Sequence, residues 1–576
     1  MTLRRLIFLT IALIVATGMA VLLARVLAPG GWTLAKALFF ACFLGAAPWL
    51  GICAGNGILG FWLLVTQRDP PQAVLPPVIT AAPNTPARLG TILAVTIRHE
   101  SMALVLPPLR CLLDDLDRHG TPLPLFILSD TTDPALAAAE AQAVADFRAH
   151  DSQPARIGYR RRADTAGYKA GNVMEFLDHH AEGFDAAVML DADSQMTAAA
   201  VLRLIAMMDA NPGLGIVQHL TVGLPAASAY PRLFQFGMRA GMRVWATGQA
   251  WWQGDSGPYW GHNAIIRVAP FRAHCRLEPL RNGATILSHD QVEAARMRAA
   301  GWGVAVWAGE DGSAEANPPG LPEHMQRELR WLAGNLQYFF LLRLPGFRAM
   351  GRWQLVQAIL LFTGAPLYTA MLALAAISAA TGGAAGFPRG RAAMFAAAWA
   401  LVIYAPKLLG YVDVLASPGH RARYGGAARF TAGILAEMVF TLLLDAISQP
   451  TKTLAMARLA LGARAGWLPQ NRHVRGVGWG EAARMLWPQT LFGMAVFALL
   501  AASSWGAVLW ALPWAGGLVV AIPFCVVTSS APLSGWLRRH RVAAIPEELP
   551  RDAISPAPPA AHWWFRPRRT ARPRSP

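Results

Sequence analysis

Two aspartates one residue apart, Asp191 and Asp193, close the apolar run "VMLDAD". Hard carboxylate oxygens at that spacing suit Mg2+ or Mn2+, and such an ion in turn holds a diphosphate. Taken alone, the same D-x-D also reads as a solvated turn ahead of a helix. A second apolar run, "FILSD", ends in Asp130. Ligands of open α/β sheets gather at the carboxyl ends of strands, so the three acids are expected at one crevice. Downstream, "SHDQVEAARMRAA" sets Asp290 at the start of an amphipathic helix with Val292, Ala295, Met297 and Ala299 on its apolar side. An acid there is favourable to the helix dipole, whatever else it does. In "QRELRWLAGNLQYFF", Arg327, Arg330 and Trp331 share a turn-spaced face, which by itself describes a helix lying at a membrane surface. Trp251, Trp252, Tyr259 and Trp260 precede "GHNA". Such aromatics suit the C–H faces of a sugar, or an interfacial belt. No G-x-S-x-G nucleophile motif competes with these groups.

The elements that must carry those residues alternate along the middle of the chain. Strand-like runs stand at 91–97, 123–130, 186–193 and 214–220, separated by helical stretches such as "DPALAAAEAQAVADFRAH". That alternation predicts an α/β domain with a largely parallel sheet. On either side the chain changes character. A hydrophobic fraction of 54% with only 15% charged residues, over 576 residues, exceeds the soluble range. Runs near 6–28, 35–66, 353–380, 392–416, 429–448, 487–505 and 506–528 meet the length of about 20 apolar residues that a span requires. The first is read as a retained span and not a signal peptide, because a second follows at once.

Four regions result: two N-terminal spans (1–66), a cytoplasmic domain ending in an interfacial helix (67–350), C-terminal spans with a cytoplasmic loop near 463–485 (351–530), and a basic Pro/Arg-rich tail (531–576). Arg4, Arg5 and Arg68 place the middle block in the cytoplasm. Basic loops at 420–429 and 463–476 also read as cytoplasmic, so the segment between them is expected to be a hairpin broken at Gln449-Pro450, or to lie partly along the interface. Arg25, Asn56, Lys407, Glu437 and Asp445 are costly in lipid and are expected to line a polar path or, for Arg25 and Lys407, to snorkel. The net charge of +17 is concentrated at span flanks and in the tail, without any nucleic-acid-binding motif, so nucleic acid is excluded as a partner. The five cysteines show neither disulfide nor zinc spacing.

The order of these elements resembles the membrane-embedded processive glycosyltransferases of family two, which make cellulose and hyaluronan. The stretches "GYKAGNVMEF", "DADSQM", "YWGHNAIIRVAPF", "ILSHDQVEAARMRAAGWGV", "RELRWLAGNLQ" and "WGEAARM" are most similar to its glucans biosynthesis glucosyltransferase H branch, whose members make the β-1,2-linked backbone of osmoregulated periplasmic glucans. The resemblance runs from about 90 to 545. It implies a GT-A type nucleotide-diphosphate-sugar transferase domain inserted in a transmembrane helical bundle of the bacterial inner membrane. It implies an inverting, processive transfer from UDP-glucose with Mg2+ or Mn2+, coupled to export.

By the same resemblance Asp290 matches the general base, and Asp191 and Asp193 match the metal-binding acids. Asp130, Lys169, Asn172, Asp191, Arg327, Arg330, Trp331 and Arg472 match positions around the nucleotide, and Trp260, His262 and Asn263 are expected on the acceptor side. The family's "QxxRW" is written here with arginine first, as in the glucosyltransferase H pattern and unlike cellulose synthases. Trp467 and Arg472 in "WLPQNR" correspond to a gating loop. The partners implied are UDP-glucose, the growing glucan, membrane lipid, an acyl carrier protein and a periplasmic glucan-processing protein. The competing expectations are a cellulose-synthase-like or lipid-linked sugar transferase, and, outside enzymes, a transporter with a non-catalytic cytoplasmic domain.

Overall fold

The computed structural model describes residues 1–76, 88–383, 387–463 and 471–549. Trp467 and the arginine-rich stretch at 566–574 lie outside them. Ten strands form: β1 Thr91–Ile97, β2 Leu125–Ser129, β3 Ile157–Arg161, β4 Ala186–Asp191, β5 Gln195–Met196, β6 Leu214–His219, β7 Val222–Gly223, β8 Ala264–Arg267, β9 Gly303–Trp307 and β10 Ser313–Glu315. Seven make one sheet in the order β3-β2-β1-β4-β8-β6-β9, and β5, β10 and β7 make a small second one. Strands β1 to β4 are mutually parallel, and within the seven-stranded sheet β8 alone runs against its neighbours. The strands are near-continuous apolar runs because helices cover both faces. In β4 every residue but Asp191 is buried. Register then does the positioning. Thr96 of β1 pairs with Asp191 of β4, and Ile97 with Ser129 of β2, so three strands stop at the same edge.

Among the described residues five helices are long and apolar enough to cross a membrane: Thr2–Leu27, Leu34–Thr66, Ala349–Gly382, Ala427–Ala460 and Trp479–Ser503. Two bent pairs, Arg389–Ile403 with Ala405–Ala416 and Trp505–Val519 with Ala521–Thr528, bring the number to seven if each counts as one span. The expected break at Pro450 does not occur, and Ala427–Ala460 is one helix of 34 residues. Hydroxyls next to the proline bond back along the helix, Thr451 to the Ile447 carbonyl and Thr453 to that of Gln449. Gln489 of a neighbouring helix in turn donates to Thr451. Such partners make an intrahelical proline tolerable in a membrane.

The α/β block and the spans share one packing unit. The amphipathic Ala229–Gln253 helix lies against the second span with no side chain between the backbones. A Cβ on Gly60 would stand 1.9 Å from the Val244 carbonyl oxygen, and one on Gly248 2.2 Å from that of Asn56. Because backbone cannot give way, Gly248→Ala is expected to cost about 1–3 kcal/mol or more. The check is thermal unfolding of the detergent-solubilised protein, and an unchanged midpoint would contradict this account of the crossing. Trp252 stacks on Phe8 of the first span at 4.0 Å and donates to Asn56 Oδ1. Trp251 carries the Arg4 guanidinium over its ring, and Tyr259 is buried against Phe271. Trp252 and Tyr259 are thus core residues, and Trp251 packs under the first helix, so the expected sugar platform is not formed by these three.

Candidate active site

Asp191 ends β4 with its Oδ1 accepting from Thr96 Oγ1 at 3.1 Å and from Lys169 Nζ. Lys169 comes from the first turn of the Tyr168–His179 helix, whose entry is set by Gly167 and Tyr168, both at positive φ. Burial works to raise the Asp191 carboxyl, but the Lys169 ammonium, with His262 behind it, holds it well below the usual carboxylate range. Asp193 contacts the Arg472 guanidinium, which also forms a fork on Glu100 with 2.9 and 3.1 Å bonds. Burial pushes the Glu100 carboxyl up in spite of that arginine. Arg472 stands on a segment tethered by Arg475 to Glu323 and Glu481. Glu323 belongs to Leu321–Leu336, the helix that carries Arg327, Arg330 and Trp331.

The base position lies one step away. Asp290 is the first residue of the Asp290–Ala299 helix. Gly261, at φ +82°, fits against it: a Cβ there would lie 3.6 Å from each of Asp290 Cβ, His289 Cε1 and Lys169 Nζ. Lys169 therefore borders both the Asp191 corner and the Asp290 corner. Burial raises the Asp290 carboxyl above its ordinary value, with His289 opposing. A base must be ionised to act, so activity resting on Asp290 should fall as pH drops through that raised value, at higher pH than an exposed aspartate would give. A rate-versus-pH series checks this, and an acid limb at the ordinary aspartate value would contradict it.

The other expected residues divide. Asp130 is buried and forms a bidentate pair with Arg162, both bonds 2.7 Å. Asn172 is enclosed, donating to the Leu128 carbonyl. Arg327 stacks over Trp331 at 4.7 Å and reaches the Phe234 ring at 6.0 Å, while Trp331 is 44% exposed. Arg330 lies within the field of Arg327 and Arg472. Trp260 is half-buried and takes Gln218 Oε1 on its backbone N–H. His262 Nε2 meets Glu315 Oε2 at 3.3 Å. Asn263 is fully buried at φ +50° and donates to Ser313 Oγ, so it shapes the loop from inside.

Sequence reasoning missed Glu100, Arg162, His289, Glu293 and Glu315. Glu100 had a signal, an acid just past an apolar strand, masked by the two residues between.

The two aspartates fit a divalent ion in donor chemistry, and cationic Lys169 and Arg472 already balance their charge. Among the described residues no three His, Cys, Asp or Glu side chains converge as a closed metal site. A cation here would draw its other ligands from phosphate and water, as Mg2+ commonly does.

Below the site, a cavity of about 690 Å³ runs among the spans. Trp49, Trp245, Trp399 and Trp514 share its wall with Tyr368, Tyr404, Lys407, Asp445 and Lys452. Lys407 is paired with the enclosed Glu437, and Tyr404 donates to Asp445 at 2.7 Å. Arg25 is exposed at the end of its helix, and Asn56 holds Trp252, so neither is part of that wall. Lys452 binds Glu328 at 2.8 Å, tying the cavity to the Leu321–Leu336 helix. Phe234, under Arg327, also lines it.

Residues 187–412 match the family model described as glycosyl transferase family group 2. A sheet of this order, with acids at its carboxyl edge and apolar helices on both sides, defines a GT-A type glycosyltransferase set in a transmembrane bundle. Over 559 residues the chain is 32% identical to the glucans biosynthesis glucosyltransferase H of Xanthomonas campestris pv. campestris, covering 93% of this chain and 86% of that one. It is 34% identical to the same-named protein of Rhodopseudomonas palustris, over 92% and 76%. The chain belongs to the glucans biosynthesis glucosyltransferase H family. Among solved structures, a mannosyltransferase from Pyrobaculum calidifontis in complex with GDP-Man and Mn2+ is similar at 14% identity and a TM-score of 0.42, covering 66% of this chain and 98% of that one.

Proposed function

We propose that this glucosyltransferase of glucan synthesis takes glucose from UDP-glucose with inversion, adds it processively to the β-1,2-linked backbone of osmoregulated periplasmic glucans, and passes the product across the bacterial inner membrane from a cytoplasmic catalytic site. The observation that carries this is one line of contacts. It runs from Asp193 through Arg472 and its loop to the Arg327 helix, then through Glu328 and Lys452 to the wall of the membrane cavity.

In this reading Asp290 takes the proton of the acceptor hydroxyl as that oxygen attacks the anomeric carbon. Asp191 and Asp193 would hold Mg2+ or Mn2+, whose chemistry when bound is Lewis-acid stabilisation of charge on the departing diphosphate. Arg327 and Arg330 supply fixed positive charge for phosphate oxygens. Arg472 closes the loop over the nucleotide, and Lys169 keeps Asp191 ionised. One base on a helix of its own, apart in the chain from the acid pair, fits a single displacement better than a scheme with two carboxylates astride one bond. The aromatic cavity wall suits sugar rings, and its ionic groups suit their hydroxyls. By resemblance, an acyl carrier protein and a periplasmic glucan-processing protein are the proposed partners.

The test is purified protein with labelled UDP-glucose and Mg2+, followed by linkage analysis. Release of UDP with β-1,2-linked polymer, lost on chelation and restored by Mg2+ or Mn2+, is expected. UDP release unaffected by a chelator would overturn the metal, and another linkage would overturn the product.

A further inference from the structure

His289 and Glu293 flank the base position and have no role in the scheme above. Glu293 is a carboxylate with only 2% of its side chain exposed, one turn into the Asp290–Ala299 helix. Its carboxylate takes the Nδ1 side of His289 at 2.9 Å, while its own backbone N–H donates to the His289 carbonyl. The imidazole is thus fixed at both ends of one helical turn. Its other nitrogen, Nε2, forms no hydrogen bond to any described residue, and the ring edge lies against Gly261, as Asp290 and Lys169 do. The loop holding Gly261 is itself pinned to this helix by Gln291, which donates to the Tyr259 carbonyl. A histidine held by a buried carboxylate on one nitrogen, with the other free beside a catalytic carboxylate, is built to hold something in place.

We propose, building on the glucosyltransferase reading, that His289 is an acceptor-binding residue: its Nε2–H donates to the sugar hydroxyl next to the one whose proton Asp290 takes. Glu293 is the positioning residue that fixes the ring and keeps it protonated. Two neighbouring side chains then engage two neighbouring hydroxyls of one ring, which selects the hydroxyl that faces the base. With Nδ1 committed to Glu293, Nε2 can donate only in the imidazolium form. Donation is therefore lost as pH rises, which gives transfer an alkaline limb.

The groups facing His289 agree with that sign. Burial alone would lower its pKa, but Glu293 outweighs it, Asp290 adds to the rise, and Lys169 opposes. The phenol of Tyr338 is spent on the Ser288 carbonyl. The buried Tyr259 phenol is pushed far up by its surroundings, as is the Cys275 thiol behind Glu293, and both stay neutral.

The experiment uses the full-length protein in detergent, with UDP-glucose, Mg2+ and sophorose, the β-1,2-linked glucose disaccharide, as acceptor. Transfer to sophorose and acceptor-free hydrolysis of UDP-glucose are read separately. His289→Ala is expected to raise the KM for sophorose by roughly ten- to a hundredfold, the range of one charge-assisted hydrogen bond, with the donor KM for hydrolysis unchanged. Glu293→Gln, of equal shape, is expected to move the alkaline limb to lower pH. His289→Gln, which keeps a donor without a charge, is expected to recover part of the acceptor KM and to abolish that limb. A wild-type sophorose KM in His289→Ala, or a wild-type alkaline limb in either Gln variant, overturns the proposal. Absence of UDP release from the wild-type protein under both conditions overturns the donor reading on which it rests.

Discussion

Asp290→Asn should leave a folded protein that binds UDP and has lost glucose transfer by roughly 10²–10⁴-fold, the usual weight of a positioned base. The side chain stays the same size, and its neighbours Gly261, His289 and Lys169 lose only a charge. What disappears is the carboxylate that borders Lys169 and Gly261 of the acceptor loop together. Glu293 cannot substitute, since it is enclosed behind His289. The measurement is UDP release and polymer formation side by side with UDP binding. Full activity in this variant would remove Asp290 from the mechanism, and lost UDP binding would show that the effect is structural.

The second large effect is expected at Asp193. Asp193→Ala should lower metal-dependent turnover by about 10³-fold, because several kcal/mol of leaving-group stabilisation depends on where the cation sits. Mn2+ binding in the presence of UDP, followed by paramagnetic resonance, should weaken in parallel, which separates loss of the ion from loss of chemistry. Arg472 adds a second arm of opposite sign. Its guanidinium occupies Asp193 while forked onto Glu100, so an incoming cation must displace it. Arg472→Ala should therefore lower the Mn2+ concentration for half-saturation while slowing turnover through loss of the loop contact. Mn2+ binding unaltered in both variants would place the ion elsewhere.

These residues show where sequence reading succeeds and where it stops. The strand runs at 91–97, 186–193 and 214–220 were legible, to within two residues of the observed strands, because a sheet covered on both faces demands unbroken apolar segments, and turn residues bound them. The acids at the ends of the runs at 123–130 and 186–193 followed from topology. Arg472 against Glu100 was not legible as a contact, since the partners are 372 positions apart and nothing local links them. Trp251 and Trp252, which read as sugar-facing or as an interfacial belt, pack otherwise for a similar reason, because their partners Arg4, Phe8 and Asn56 come from the first two helices. Pro450 misled because proline usually ends a helix in water, whereas here hydroxyls and a neighbouring glutamine support the turn around it. His289 and Glu293 were overlooked because a histidine and a glutamate four apart on a helix look like an ordinary surface pair. Only their burial beside Asp290 sets them apart.

The packing at Gly60 and Gly248 bears on how this enzyme can be handled at all. Arg4 donates to the carbonyls of Val74 and Trp251, and Arg5 to the Gln253 carbonyl and the Ser256 hydroxyl, so the first helix is tied to the catalytic block as well as the second. A fragment cut at the borders of that block would carry away half of each joint and expose Trp252 together with the glycine face beneath it. The glycosyltransferase domain is therefore not a portable module on a lipid anchor. Its inner wall is made of spans, and a soluble version would have to be redesigned along that wall, not merely excised.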